Sequence, residues 1–167
     1  MESRNSLNQL EDFASLIHQA ALHPLLDSDS LNQICDESVH LKFSGICTNL
    51  IRIPQARKRI GSNSATKLIA TISFPFGDFP NFLKKEQAEW AVSQGAEELD
   101  IVPNLFALIK GEIDIFAEEI AELCQIGLPV RVILNSIDLP KEKLRQAIDA
   151  SIEAGVEGIQ NGNGFGP

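Results

Sequence analysis

Gly95-Ala96-Glu97-Glu98-Leu99-Asp100 and Gly155-Val156-Glu157-Gly158-Ile159-Gln160 repeat one pattern at two places in the chain. Each copy follows a helical stretch that carries Gln-Ala, Gln87-Ala88 before the first and Gln146-Ala147 before the second. With one further strand expected near Pro129, the period of about 60 residues holds two β/α units. Such a repeat points to a β/α architecture such as a barrel. Asp100 and Gln160 occupy equivalent places near the C-terminal ends of their strands, the end at which β/α folds place their ligands.

The pattern extends in both directions. Short apolar runs at Phe43 to Thr48, Lys67 to Phe74, Glu98 to Val102, Pro129 to Asn135 and Val156 to Gln160 read as strands. Helical stretches at about Ile53 to Ile60, Phe82 to Gln94, Ile113 to Cys124 and Lys141 to Ala154 lie between them. Strict alternation implies parallel strands joined by right-handed crossovers, each buried on both sides. Pro140 suits a helix start, and Gly95, Gly127 and Gly155 each close a helix before a strand. The first 40 residues read as a helical or loop segment, with Leu7, Leu10, Phe13, Leu16 and Ile17 on one apolar helix face. The whole chain, residues 1–167, is expected to be a single domain of (β/α)8 barrel type with about six β/α units.

Strand alternation puts Glu98, Asp100 and Val102 on one face and Leu99 and Ile101 on the other. By the same rule Arg131, Ile133 and Asn135 share a face opposite Val130, Val132 and Leu134. An inner face holding Glu98, Asp100, Arg131, Asn135 and Gln160 is unusual, because charges in a low dielectric must be paired or used. Two readings follow and are compatible: a functional or ancestral site, or a structural Glu98–Arg131 or Asp100–Arg131 ion pair.

The chain has 167 residues, 14 Lys+Arg against 23 Asp+Glu, and a net charge of −9. An acidic balance of this size argues against nucleic acid or an anionic membrane as partner. No apolar run approaches the roughly 20 residues that span a bilayer, and Met1 to Asn5 lead into no signal-peptide stretch, so a cytoplasmic location is expected. Cys35, Cys47 and Cys124 form no CxxC pair and read as buried free thiols. His18, His23 and His40 have no metal-ligand spacing and read as surface or loop residues. No serine sits in a GxSxG elbow, and neither metal nor cofactor is expected. The glycine-rich Gly162-Asn163-Gly164-Phe165-Gly166-Pro167 follows a strand, where backbone amides can cradle a phosphate oxygen. The Ser73-Phe74-Pro75-Phe76-Gly77-Asp78 turn is ambiguous by itself.

Read in order, these motifs resemble the deoxyribose-phosphate aldolase family, whose (β/α)8 barrels form a Schiff base between a lysine and a phosphorylated aldehyde sugar. Ser44-Gly45-Ile46-Cys47-Thr48-Asn49 with Pro54 resembles the family's second strand and the proline after it. Ala70-Thr71-Ile72-Ser73-Phe74-Pro75-Phe76-Gly77 is similar to its third strand and turn. Glu98-Leu99-Asp100-Ile101-Val102-Pro103-Asn104-Leu105, with Leu108 and Lys110-Gly111-Glu112, is the most specific match and places the family's catalytic aspartate on Asp100.

The departures concern the chemistry. Where the family's sixth strand carries Lys-Thr-Ser-Thr-Gly-Phe, this chain has Gln160-Asn161-Gly162-Asn163-Gly164-Phe165, so Gln160 stands at the position of the imine-forming lysine. An amide nitrogen is delocalised into its carbonyl and does not condense with an aldehyde. Asn135 stands where the fifth strand usually has glutamate. Ile17-His18-Gln19-Ala20-Ala21-Leu22-His23-Pro24 lacks the aspartate and lysine of the corresponding family segment. The chain stops just after the sixth strand, whereas a full barrel takes about 200 to 250 residues. It reads as either a fragment or a shortened barrel, without the family's second active-site lysine.

By resemblance, the candidate catalytic positions are Asp100 and Gln160, and the substrate- or phosphate-binding positions are Gly164, Cys47, Arg131 and Asn135. The expected function is that of a non-catalytic homologue, regulatory or structural, that binds a phosphorylated small molecule or a partner. The alternatives are an active lyase using another lysine, with Lys67 and Lys110 as candidates, and an interaction module. An open barrel edge is expected to attract a second copy or a protein partner.

Overall fold

The computed structural model describes residues 13–162 and 164. Its elements alternate: β1 (His18–Ala21), α1 (Ser28–His40), β2 (Gly45–Asn49), α2 (Ile53–Ile60), β3 (Lys67–Ile72), α3 (Asn81–Ser93), β4 (Glu98–Ile101), α4 (Leu105–Lys110), α5 (Ile113–Cys124), β5 (Val130–Ile133), α6 (Lys141–Glu153) and β6 (Gly158–Gln160). The strands form one parallel sheet in the order β1-β2-β3-β4-β5-β6. This is the partial β/α barrel expected from the alternation.

Local chemistry sets the boundaries. The Asp27 carboxylate accepts from the Ser30 N–H at 2.8 Å and starts α1, and the Asn104 side chain does the same for Ala107 at the start of α4. Pro80 and Pro140 precede α3 and α6. Gly95, Gly127 and Gly155 take positive φ where the chain leaves a helix for the next strand.

The main core lies between the helices and the outer face of the sheet. Ile46, Leu68, Leu99, Ile101, Val130 and Val132 pack there against residues such as Leu31, Ala88, Phe116 and Ile120. The complementary strand positions face inward, where Cys47, Ile69, Val102 and Ile133 are buried.

Two readings of the N-terminal region change. A strand, β1, lies within the first 40 residues, which the sequence presents as helix or loop. His18-Gln19-Ala20-Ala21 has no β-branched residue and is too short for visible alternation; its pairing with β2 makes it a strand. Of the proposed apolar helix face, Leu7 and Leu10 lie outside the described residues. His18 is not a surface residue: it is half-buried on the inner side of β1, and a Cβ at Gly45 would lie 3.3 Å from its Cδ2. His23 and His40 are exposed, as expected. No helix among the described residues is long and apolar enough to cross a membrane.

Candidate functional site

Register brings the inner polar residues together. Thr71, Asp100 and Arg131 are neighbours across β3, β4 and β5, and Arg131 is opposite Gly158 on β6. The missing side chain at Gly158 makes room for Arg131, because a Cβ there would lie 3.1 Å from Arg131 Cγ. Arg131 then reaches two carboxylates on β4. Its Nε donates to Asp100 Oδ1 at 2.9 Å and its Nη1 to Glu98 Oε2 at 2.6 Å. Both ion pairs foreseen as alternatives are therefore present at once.

The second oxygen of Asp100 is also occupied. Oδ2 accepts from the Cys47 thiol at 3.2 Å and from Gln160 Nε2 at 3.2 Å. Asp100 is almost completely buried and has three donors from three other strands. Cys47, Asp100, Arg131 and Gln160, four of the six residues singled out in the sequence, form one connected cluster.

Asn135 and Gly164 stand apart from it. Asn135 follows β5 in a left-handed conformation, φ 46°, and among the described residues no hydrogen bond joins its side chain to the cluster. Gly164 is exposed beyond β6, also at positive φ. Asn163 and Phe165 to Pro167 lie outside the described residues, so the phosphate cradle read at this end is not described as a unit.

The electrostatics follow from burial and charge. Burial pushes the Cys47 thiol well above the usual thiol range, and the Asp100 charge and hydrogen bond push it further, so Cys47 is a hydrogen-bond donor rather than a nucleophile. Burial opposes the charge on Arg131, but Asp100 and Glu98 outweigh it and hold the guanidinium more firmly protonated than usual. Among the described residues, one buried guanidinium nitrogen, Arg131 Nη2, has no hydrogen-bond partner. His18 is pushed below its ordinary value by burial and by Arg131, against the pull of Glu98 and Asp100.

Neither lysine considered as a substitute nucleophile joins the cluster. Lys67 begins β3 at the opposite end of the sheet, where its ammonium is 2.9 Å from Glu97. Lys110 pairs with Glu112 in the exit of α4.

The sequence reading missed a different pair. Lys84 on α3 is completely buried, 2.7 Å from Glu119 on α5, and also donates to the Val102 carbonyl at 3.1 Å. Glu119 accepts from the Asn104 N–H at 2.9 Å, so the pair holds the chain leaving β4 just beyond Asp100. The signal was available: Lys84, Ala88 and Ala91 share a helix face at helical spacing, and a lysine on an apolar face needs a buried partner.

No protein-family model matches the chain. It is similar to the deoxyribose-phosphate aldolase of Thermococcus gammatolerans, with 31% identity over 160 residues, 93% of this chain and 71% of the relative. Among solved structures it is similar to QR15, an aldolase, with a TM-score of 0.88 and 31% identity, covering 93% of this chain and 70% of that one. The tetrameric deoxyribose phosphate aldolase of Aeropyrum pernix matches at 24% identity with a TM-score of 0.83, covering 96% and 68%, which shows a shared fold. With this identity over most of its length, the chain belongs to the deoxyribose-phosphate aldolase family.

Proposed function

We propose that this chain is a family member without the imine-forming amine, a single domain that binds a phosphorylated sugar or a partner non-covalently in a regulatory or structural role. The observation that carries the reading is the 3.2 Å hydrogen bond from Gln160 Nε2 to Asp100. The sequence pattern assigns the Schiff-base position to Gln160, and the amide there is engaged with the residue matched to the catalytic aspartate.

Two further observations support it. The Asp100 carboxylate is already satisfied by Arg131, Cys47 and Gln160. An aldolase of this kind needs a lysine beside it; Lys67 lies at the far end of β3, Lys84 behind the sheet, and Lys110 pairs with Glu112 at the end of α4. In this proposal Arg131 and Gln160 offer donors to ligand oxygens, and Asn135 and Gly164 lie at the C-terminal end, where a phosphate would enter. Cys35, Cys47 and Cys124, all free, fit a reducing compartment such as the cytoplasm.

Titration with deoxyribose 5-phosphate, followed by calorimetry and by the NMR signals of the Gln160 side-chain amide, tests the reading. Saturable binding that shifts those signals and leaves the sugar uncleaved is expected. Cleavage to acetaldehyde and a triose phosphate would support the lyase instead.

A further inference from the structure

Thr71 and Asp100 are register neighbours, and two residues beyond each of them the chain leaves its strand, at Ser73 after β3 and at Val102 after β4. Helix α3 holds both exits. Its Gln87 Oε1 accepts from the Ser73 N–H at 2.8 Å, and one turn earlier on the same helix Lys84 Nζ donates to the Val102 carbonyl at 3.1 Å. Helix α5 adds a second hold on the β4 exit, since Glu119 Oε1 accepts from Lys84 at 2.7 Å and from the Asn104 N–H at 2.9 Å. Asn104 in turn accepts from the Ala107 N–H at 3.0 Å and starts α4.

The two exits also bear on each other. The Val102 N–H donates to the Ile72 carbonyl at 3.0 Å. Gly77, buried in the β3 loop at φ 73°, leaves no space for a side chain: a Cβ there would lie 2.3 Å from the Pro103 carbonyl oxygen and 2.9 Å from Val102 Cγ1. Its N–H closes the loop onto the Ser73 carbonyl at 2.8 Å. Burial opposes the Lys84 ammonium, Glu119 supports it, and Asp78, the next residue of the β3 loop, supports it as well.

Net stability is a weak reason for a charged pair at this place, because both groups lose their hydration on burial. What the pair supplies and an apolar contact does not is direction: it fixes one carbonyl and one N–H of the β4 exit. We infer that Lys84 and Glu119 are positioning residues that clamp the loops after β3 and β4 into one unit, and so set the affinity with which the Asp100 end of the barrel takes a phosphorylated sugar. The ligand half of this inference rests on the function proposed above; the clamp itself does not. A mouth already held in place loses less freedom when a ligand arrives.

Amide hydrogen exchange followed by NMR tests the clamp, and calorimetric titration with deoxyribose 5-phosphate tests its effect on the ligand. Lys84→Met with Glu119→Leu removes both holds on the β4 exit, whereas Lys84→Met with Glu119→Gln keeps an acceptor for the Asn104 N–H. In the first pair exchange should accelerate at Asn104 and also at Gly77, whose N–H bonds to Ser73 and not to the replaced side chains. The dissociation constant for the sugar should rise about tenfold or more. In the second pair both readouts stay near those of the parent chain, and Lys85→Met, at the exposed neighbour, changes neither. Gly77→Ala presses the β3 loop off Pro103 and leaves the buried pair intact. It should accelerate Asn104, which keeps the test decisive if the first pair does not fold. Acceleration confined to the loop that carries or contacts the change overturns the clamp. Equal sugar affinity in the parent and both pairs overturns its role at the ligand end. A parent that shows the coupled exchange and binds no sugar upholds the clamp and contradicts the proposed function alone.

Discussion

Arg131 Nε donates to Asp100 Oδ1 at 2.9 Å across the β4–β5 pairing, while the Nη1 of the same guanidinium is 2.6 Å from Glu98. One cation thus serves two carboxylates two residues apart on one strand face, and Gly158 on the next strand leaves it the space to do so. Without Arg131 the two carboxylates would share a poorly solvated interior with no counter-charge. Arg131→Met is expected to destabilise the fold by about 3 kcal/mol in urea unfolding, in the range for breaking a buried pair from one side. A further Glu98→Gln change should return part of that loss.

His18 makes stability depend on pH. Burial lowers its pKa below the ordinary 6.5, Arg131 lowers it further, and Glu98 and Asp100 pull the other way. A histidine that binds its proton more weakly when folded favours the unfolded state once protonated. Its contribution is complete above the ordinary value and is lost as pH falls through it toward the lowered one. Denaturation midpoints measured from about pH 7 to 5 should decline less steeply in His18→Gln than in the parent chain.

Lys84 and Glu119 are each pushed toward neutrality by burial, Lys84 downward and Glu119 upward, while their mutual contact opposes this. Removing one partner leaves the other buried alone. Lys84→Met should cost about 3–5 kcal/mol, and the Glu119→Leu change should be strongly coupled to it. In a double-mutant cycle the joint loss should fall short of the sum by about 1–3 kcal/mol. Additive losses would mean that the two side chains do not depend on each other.

The fold was readable because each β/α unit after the first has a strong period and a glycine or proline at its boundary. The inner cluster was readable for a simpler reason: alternation on β4 and β5 leaves Asp100, Glu98 and Arg131 no other face. β1 was not, since four residues of His-Gln-Ala-Ala become a strand through pairing with β2 rather than by propensity. His18 followed the same error, because without the strand it has no inner face. Lys84 was overlooked because its partner Glu119 lies 35 positions away, and only the packing of α3 and α5 shows that they meet.

The most direct test of the central claim is chemical trapping. The unmodified chain is incubated with deoxyribose 5-phosphate or acetaldehyde, reduced with borohydride, and its intact mass measured. With Gln160 hydrogen-bonded to Asp100 and, among the described residues, no lysine bonded to either, the mass should be unchanged. Gln160→Lys should also react poorly, because the neighbouring carboxylate favours the ammonium form of a new lysine, whose ordinary pKa is already about 10.4. A stoichiometric adduct on the unmodified chain, mapped to any one lysine, would contradict the non-covalent reading and make this chain a working lyase.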